Sequence, residues 1–344
     1  MSTENSNKMT TSKDVVKALF DERREFVVFG ICGKTGSGVT TVSKILKNSF
    51  DELNLPKPCE ESHADFYKTE YRILYNFAKS NWKPFYAIKT STLITLTALQ
   101  QKPDDFCKYI NEIKRFDEEI KKKIKNRINS FYDESIIFDT ENSKIKDYSI
   151  EIKNPETQAF EQFLNKHKIL FVRTNGKYEF KLTELAKLYD KYKELRKTKV
   201  EINNYLVYEI LFQFIYSEEH GFQNHVNKFW AELSEATEIK ITTIALQGMG
   251  NNLRITGTNP FANPIDNFKS NGFLSIAELI NINIKLLRDY KSKKIIYCDN
   301  NRIIDEDIQE EIYNEEKRTF IVIDSIKNPY ESNYLKTRYS NYYL

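Results

Sequence analysis

Gly33, Gly36 and Gly38, with Thr40 and Thr41 just beyond them, are the residues whose types and spacing most readily support chemistry. Glycines placed this closely let a backbone wrap an anion without Cβ clashes. Such a turn points several N–H groups into one concavity. A helix starting next to it adds its positive dipole end, and together they bind phosphate. Thr40 carries a hydroxyl of the kind that holds Mg²⁺ beside a bound phosphate. Four of the chain's 10 glycines fall between residues 30 and 38, so the loop is not random punctuation.

The flanking residues supply the elements that must position this loop. Phe26, Val27, Val28 and Phe29 form a continuous apolar run, the pattern of a strand covered on both faces. Thr40, Thr41, Val42, Ile45 and Leu46 open an amphipathic helix. In that context Gly33–Thr40 matches the P-loop pattern G-x-x-x-x-G-K-[ST], except that Val39 stands where the lysine belongs. The expected nucleotide-binding residues are Gly33, Lys34, Thr35, Gly36, Ser37, Gly38, Val39, Thr40 and Thr41, with Lys34 placed to supply the missing charge. The GSG-V-TT spelling resembles the loop of nucleotide kinases of the cytidylate kinase type, which also lack that lysine. The plainer alternative is a glycine turn between strand and helix that holds no ligand.

Further candidates lie downstream. Asp299 and Asp324 each close an apolar run (IIYCD and FIVID) and suit the Walker-B role of supporting Mg²⁺, though either also suits a helix N-cap or a turn. Ile241–Leu246 reads as a strand. The glycine-rich stretch after it, Gly248 to Gly257, reads as a second loop, either one in which Arg254 would recognise substrate or phosphate or an ordinary surface loop. Lys34, Arg254 and Asp324 are therefore the catalytic candidates, and Thr40, Asp299 and Asp324 the metal candidates. Lys327 and Arg338 are further cations able to pair with phosphate. Trp82 and Phe85 suit packing better than base stacking. His63, His167, His220 and His225 form no metal set and read as surface residues. Neither the zinc signature of nucleobase deaminases nor a nucleophile elbow occurs.

The 344 residues suffice for a sizeable core. With 40% hydrophobic and 29% charged residues the chain reads as globular, and its net charge of +3 argues against a dedicated nucleic-acid surface. Four unpatterned cysteines and no long apolar run predict a cytosolic protein with reduced thiols and no membrane span. Residues 1–13 read as a disordered tail and Asp14–Arg24 as a short helix. Residues 14–103 and 237–344 read as an α/β core, and 104–236 as a mostly helical insertion. Within the insertion, Asp104–Phe131 reads as one helix and Thr174-Asn175-Gly176 as a hairpin turn. After the strand at 241–246 come a helix at Phe273–Tyr290, a strand at Lys294–Cys298, a helix at Ile304–Tyr313, a strand at Phe320–Ile323 and a helix from Pro329. This alternation predicts a doubly wound parallel sheet of P-loop NTPase type, with ligands beyond the carboxyl ends of its strands.

The stretch Arg318–Leu344 resembles the end of the N-terminal P-loop domain of bacterial antiviral dCTP/dCMP deaminases, a strand followed by D-S-[IL]-[KR]-[NH]-P-x-E. Asp324, Ser325, Ile326, Lys327, Asn328, Pro329 and Glu331 carry that match. The loop at Gly33–Thr40 and the Gly250–Arg254 stretch look like the same arrangement. The zinc deaminase domain that follows in that family has no counterpart motif here. The resemblance therefore implies a truncated or split form, or a stand-alone relative using its P-loop domain differently. It implies Mg²⁺ with a nucleoside triphosphate, ATP or a dNTP, as ligand, a protein partner or deaminase domain, and a homo-oligomer. The expected role is a nucleotide sensor or regulatory module in antiviral nucleotide depletion. An active (deoxy)nucleoside or nucleotide kinase is one alternative and a structural interaction module another.

Overall fold

The computed structural model describes residues 26–34, 36–58, 66–139, 144–145, 148–149, 154–217, 221–262, 267–301 and 318–344. Strand β1 (Phe26–Ile31) leads through the glycine loop to helix α1 (Val39–Leu46). Helix α2 (Phe66–Asn81), strand β2 (Tyr86–Lys89) and helices α3 (Thr90–Leu99), α4 (Pro103–Ile113) and α5 (Glu118–Asp133) follow. Next come β3 (Ser135–Asp139), β4 (Lys144–Ile145), β5 (Tyr148–Ser149), α6 (Asn154–Lys166), β6 (Val172–Thr174) and β7 (Lys177–Lys181). The helices α7 (Leu182–Lys197), α8 (Tyr205–Tyr216), α9 (Phe222–Ala236), α10 (Ile241–Thr256) and α11 (Ser275–Asn301) precede β8 (Thr319–Asp324), α12 (Pro329–Lys336) and β9 (Tyr342–Tyr343).

The fold is α/β, with a four-stranded parallel sheet in the order β2-β8-β1-β9. Strand β8 is central because its side chains are apolar on both faces: Ile321, Val322 and Ile323 are all fully buried. Its register runs from Phe26 opposite Thr319 to Ile31 opposite Asp324, and β2 pairs on its other edge, Lys89 lying opposite Asp324. The carboxyl ends of β1, β2 and β8 therefore open on one edge.

A second, antiparallel sheet has the order β3-β7-β6. Its tight turn places Asn175 at φ 48° and Gly176 at φ 73°. Two consecutive left-handed residues suit the strand twist, as the Thr174-Asn175-Gly176 spelling predicts. The helices of 104–236 share the core of the parallel sheet: Val28 and Ile321 belong to the same buried cluster as Phe106, Phe229 and Leu206. Helix α3 is buried almost all round, and two of its threonines bond back to its own carbonyls, Thr95 Oγ1 donating to Ser91 O at 2.9 Å and Thr97 Oγ1 to Ile94 O at 2.7 Å. By contrast α2 buries no residue, and Phe66, Tyr67, Ile73, Leu74 and Phe77 stand exposed along it.

Several expectations are corrected. The long helix expected over 104–131 is two helices, broken where Phe116 turns into the core and Asp117 caps α5 by accepting from Ile120 N at 2.8 Å. Residues 241–246 and the glycine stretch behind them are not strand and loop but one helix, α10. Ile241, Ala245, Met249 and Leu253, four apart, form its buried row. Gly248 and Gly250 sit within it because larger side chains would press on Tyr109 and Ile94 of neighbouring helices. Gly257, at φ 81°, caps its C-terminus. The strand expected at 294–298 is likewise the last part of α11. The expectations for 1–13, Asp14–Arg24, Ile304–Tyr313, His63 and His220 fall outside the described residues. No described helix is long and apolar enough to cross a membrane.

Candidate functional site

The turn between β1 and α1 is shaped by two left-handed glycines, Gly36 at φ 85° and Gly38 at φ 86°. An added Cβ at either would meet nothing within 4 Å, so the backbone conformation, not crowding, is what calls for glycine there. Gly33 is different, since a Cβ there would strike the Ser37 and Val39 side chains. Ser37 N donates to Lys34 O at 3.0 Å and closes the turn. Thr35 lies outside the described residues. Helix α1 starts on Gly38, which offers no capping side chain, and its first turn holds no acid. The leading N–H groups at Val39, Thr40 and Thr41 thus open onto the concavity of the loop.

Asp324 ends β8 beside this turn. Its side chain is 5% exposed, and each carboxylate oxygen meets a hydroxyl. Thr40 Oγ1 donates to Oδ2 at 3.2 Å and Ser325 Oγ to Oδ1 at 2.7 Å. From β2 the chain passes straight into Thr90, whose hydroxyl donates to the Asp324 backbone carbonyl at 3.2 Å. Ser325 itself adopts φ 72°, a costly conformation for a residue with a side chain. The next residue is fastened to β1, Ile326 N donating to Ile31 O at 3.0 Å. Further along the same turn, Lys327 Nζ reaches across to Gly33 O at 3.3 Å.

Of the residues expected at the site, the structure brings together Gly33, Gly36, Ser37, Gly38, Val39, Thr40, Thr41 and Asp324. Lys34 is exposed at the start of the loop. Arg254 does not lie on a loop: it projects from α10 and its Nε pairs with Glu331 Oε1 at 2.8 Å, Glu331 being fully buried. Asp299 belongs to helix α11 rather than to a strand end, and its side chain lies outside the described residues. Lys327, expected as a cation able to pair with phosphate, lies beside the loop, whereas Thr90 and Ser325 are additions that carried no signal as site residues. Trp82 packs, donating from Nε1 to Asn48 O at 2.8 Å and lying 5.8 Å from the Phe85 ring. His225 is half-buried against Glu134, its Nδ1 2.6 Å from Oε2, and is not a plain surface histidine.

Among the described residues no three His, Cys, Asp or Glu side chains cluster as a metal cage. A buried carboxylate beside a threonine hydroxyl instead suits Mg²⁺, which takes one or two protein oxygens and completes its shell with water and phosphate. Because the Thr40 O–H donates to Asp324, the lone pairs of that oxygen stay free to meet a cation. The donor set fits a metal–phosphate ligand.

A separate concavity lies away from the loop. A cleft of about 730 Å³ between α7, α8 and α11 is lined by Tyr192, Arg196, Lys199, Tyr208, Lys285 and Asp289 among others, and by no residue of the glycine loop. Asp289 accepts from Tyr192 Oη at 2.9 Å and Arg196 Nη2 at 2.8 Å, and burial pushes its carboxyl above the usual range. Those charges hold one another, so the cleft offers no chemistry comparable to the loop. Comparison with protein families, characterised proteins and solved structures yields no match to this chain.

Proposed function

We propose that this chain is a nucleotide-binding protein with a P-loop NTPase-type core. The carrying observation is the hydrogen bond between Thr40, at the start of α1, and Asp324, at the end of the neighbouring strand β8. That pairing joins the two residue types that hold Mg²⁺ in P-loop proteins. The uncapped N-terminus of α1 and the left-handed glycines before it support phosphate binding. Backbone N–H groups of residues 36–41 would hold the phosphates. Thr40 would ligate Mg²⁺ and Asp324 would orient its water shell. Mg²⁺ held by these residues would supply charge neutralisation of the phosphate oxygens.

Val39 in the lysine position removes one stabiliser of a transferring phosphoryl group, which favours binding over fast turnover. We therefore read the protein as a nucleotide sensor or regulatory module. Its assignment to antiviral nucleotide depletion in the bacterial cytosol rests on the resemblance carried by residues 318–344, the Gly33–Thr40 loop and the Gly250–Arg254 stretch. Calorimetric titration with Mg²⁺ and ATP, GTP, dATP and dCTP tests the reading; absence of binding to every nucleotide rejects it. The presence of two lysines beside the loop, Lys34 and Lys327, favours a second reading, an active nucleoside or nucleotide kinase. Transfer of labelled phosphate from ATP to a panel of nucleosides and monophosphates separates the two.

A further inference from the structure

We infer that Lys327 is the phosphate-binding cation of this loop, delivered from the turn after β8 in place of the lysine that Val39 displaces. The inference rests on the nucleotide-binding reading and deepens it. It makes the ligand a nucleoside polyphosphate gripped by two loops rather than one.

A loop that wraps phosphate with N–H groups alone lacks the ammonium that normally reaches the outer phosphates. Val39 cannot provide it. Lys327 is the cation whose ammonium touches the loop, at Gly33 O. Its side chain is exposed, so packing does not hold it there. No carboxylate among the described residues pairs with it, and its one described side-chain partner is a neutral carbonyl. Hydrogen bonds from ammonium to phosphate are charge-assisted and stronger than those to a carbonyl, so an arriving phosphate displaces that contact.

The backbone around Lys327 is fixed on both sides, unlike its side chain. Ile326, 1% exposed, is bonded to Ile31 O. Asn328 caps α12 by accepting from Tyr330 N at 2.9 Å. The Lys327 N–H itself points to Glu331 Oε2 at 3.4 Å, and Arg254 holds Glu331 in place. A rigid root and a mobile tip are what a phosphate-capturing lysine needs. Asp324 and Lys327 thus place a metal-supporting carboxylate and a phosphate-binding ammonium on one short turn. Lys34 is anchored through its backbone carbonyl, which accepts from Ser37 N, whereas Lys327 reaches the loop through its ammonium.

The full chain is titrated by calorimetry with Mg-ATP and Mg-dCTP, alongside circular-dichroism melts of each variant. Lys327→Ala should melt as the parent does, because the residue is exposed, and should bind about 10- to 100-fold more weakly, the usual worth of a charged hydrogen bond. Lys327→Arg should retain most of the affinity, and adding Val39→Lys to Lys327→Ala should restore it. Lys34→Ala should weaken binding less than Lys327→Ala does. Parent-like binding by Lys327→Ala overturns the inference while leaving the P-loop reading intact. So does a loss that neither Lys327→Arg avoids nor Val39→Lys repairs. If the parent itself binds no nucleotide, the broader reading fails first.

Discussion

Thr40 Oγ1 and Asp324 Oδ2 lie 3.2 Å apart although 284 positions separate them in the chain. The contact exists because β1 and β8 run parallel in register, which ends both strands at the same edge of the sheet. The first prediction follows from it. Thr40→Ala should remove most of the Mg²⁺ dependence of nucleotide binding, by about tenfold or more in affinity, since a metal ligand and its orienting hydrogen bond go together. Titrations with Mg²⁺ and with EDTA check this. An unchanged Mg²⁺ effect would show that the metal, if any, binds elsewhere.

Gly38 offers a test of the loop itself. It sits at φ 86° with open space where a Cβ would be. Any L-residue there costs about 1–2 kcal/mol in backbone strain. Gly38→Ala should therefore fold with a slightly lower melting temperature and weakened binding. Gly38→Arg should abolish nucleotide binding by filling the concavity. If Gly38→Arg binds as well as the parent, the ligand site is not at this turn.

Arg254 should matter for stability. Its partner Glu331 is fully buried, so Arg254→Ala strands an uncompensated carboxylate. Such losses typically cost about 3–5 kcal/mol. Urea unfolding should show this, and Arg254→Met with Glu331→Leu should recover much of it. If the double variant is no more stable than Arg254→Ala, the pair is not the source of the loss.

Stability should also depend on pH through Glu134. Burial alone would raise its pKa, but the hydrogen bonds from His225 and Arg127 outweigh burial and hold the carboxyl below its ordinary range. A carboxylate depressed on folding stabilises fully above its unfolded pKa, and that contribution fades as pH falls through the folded value. Glu134→Gln should thus be less stable than the parent at neutral pH, the two converging only once pH has fallen through the depressed folded value. Urea midpoints across an acid series measure the gap; a gap independent of pH contradicts the assignment.

The parts of the fold legible in the sequence are those whose signals are local and unambiguous. FVVFG before clustered glycines, and FIVID before Ser325, each have apolar runs too short for a helix and clear punctuation after them, and each is a strand. ITTIAL and KKIIYC carry equally apolar, β-branched runs yet lie in helices α10 and α11. Short runs of that kind fit a buried helix or a strand equally, and tertiary packing decides. Gly248 and Gly250 misled for a related reason: glycine marks close approach between helices as well as loops, and only the positions of Tyr109 and Ile94 distinguish the two. The loop from Gly33 to Thr41 and the aspartate ending β8 could be named from sequence. The reach of Lys327 to Gly33 could not, because it depends on strand order and on the unusual backbone of Ser325.

Strand order also has a consequence for biogenesis. The centre of the parallel sheet is β8, which leaves the ribosome long after β1 and β2, the strands it joins. Helices such as α4, α5, α7 and α8 can gather from near neighbours during synthesis, whereas pairings so distant in sequence form late. Until residues 319–324 emerge, β1 and β2 have no bridge between them, and the glycine turn has neither Asp324 nor Lys327 beside it. On the proposed reading, a nascent or clipped chain lacking β8 would lack Asp324 and Lys327 and so could not hold a metal–nucleotide. Nucleotide binding, as proposed, would therefore begin only once β8 has joined the sheet.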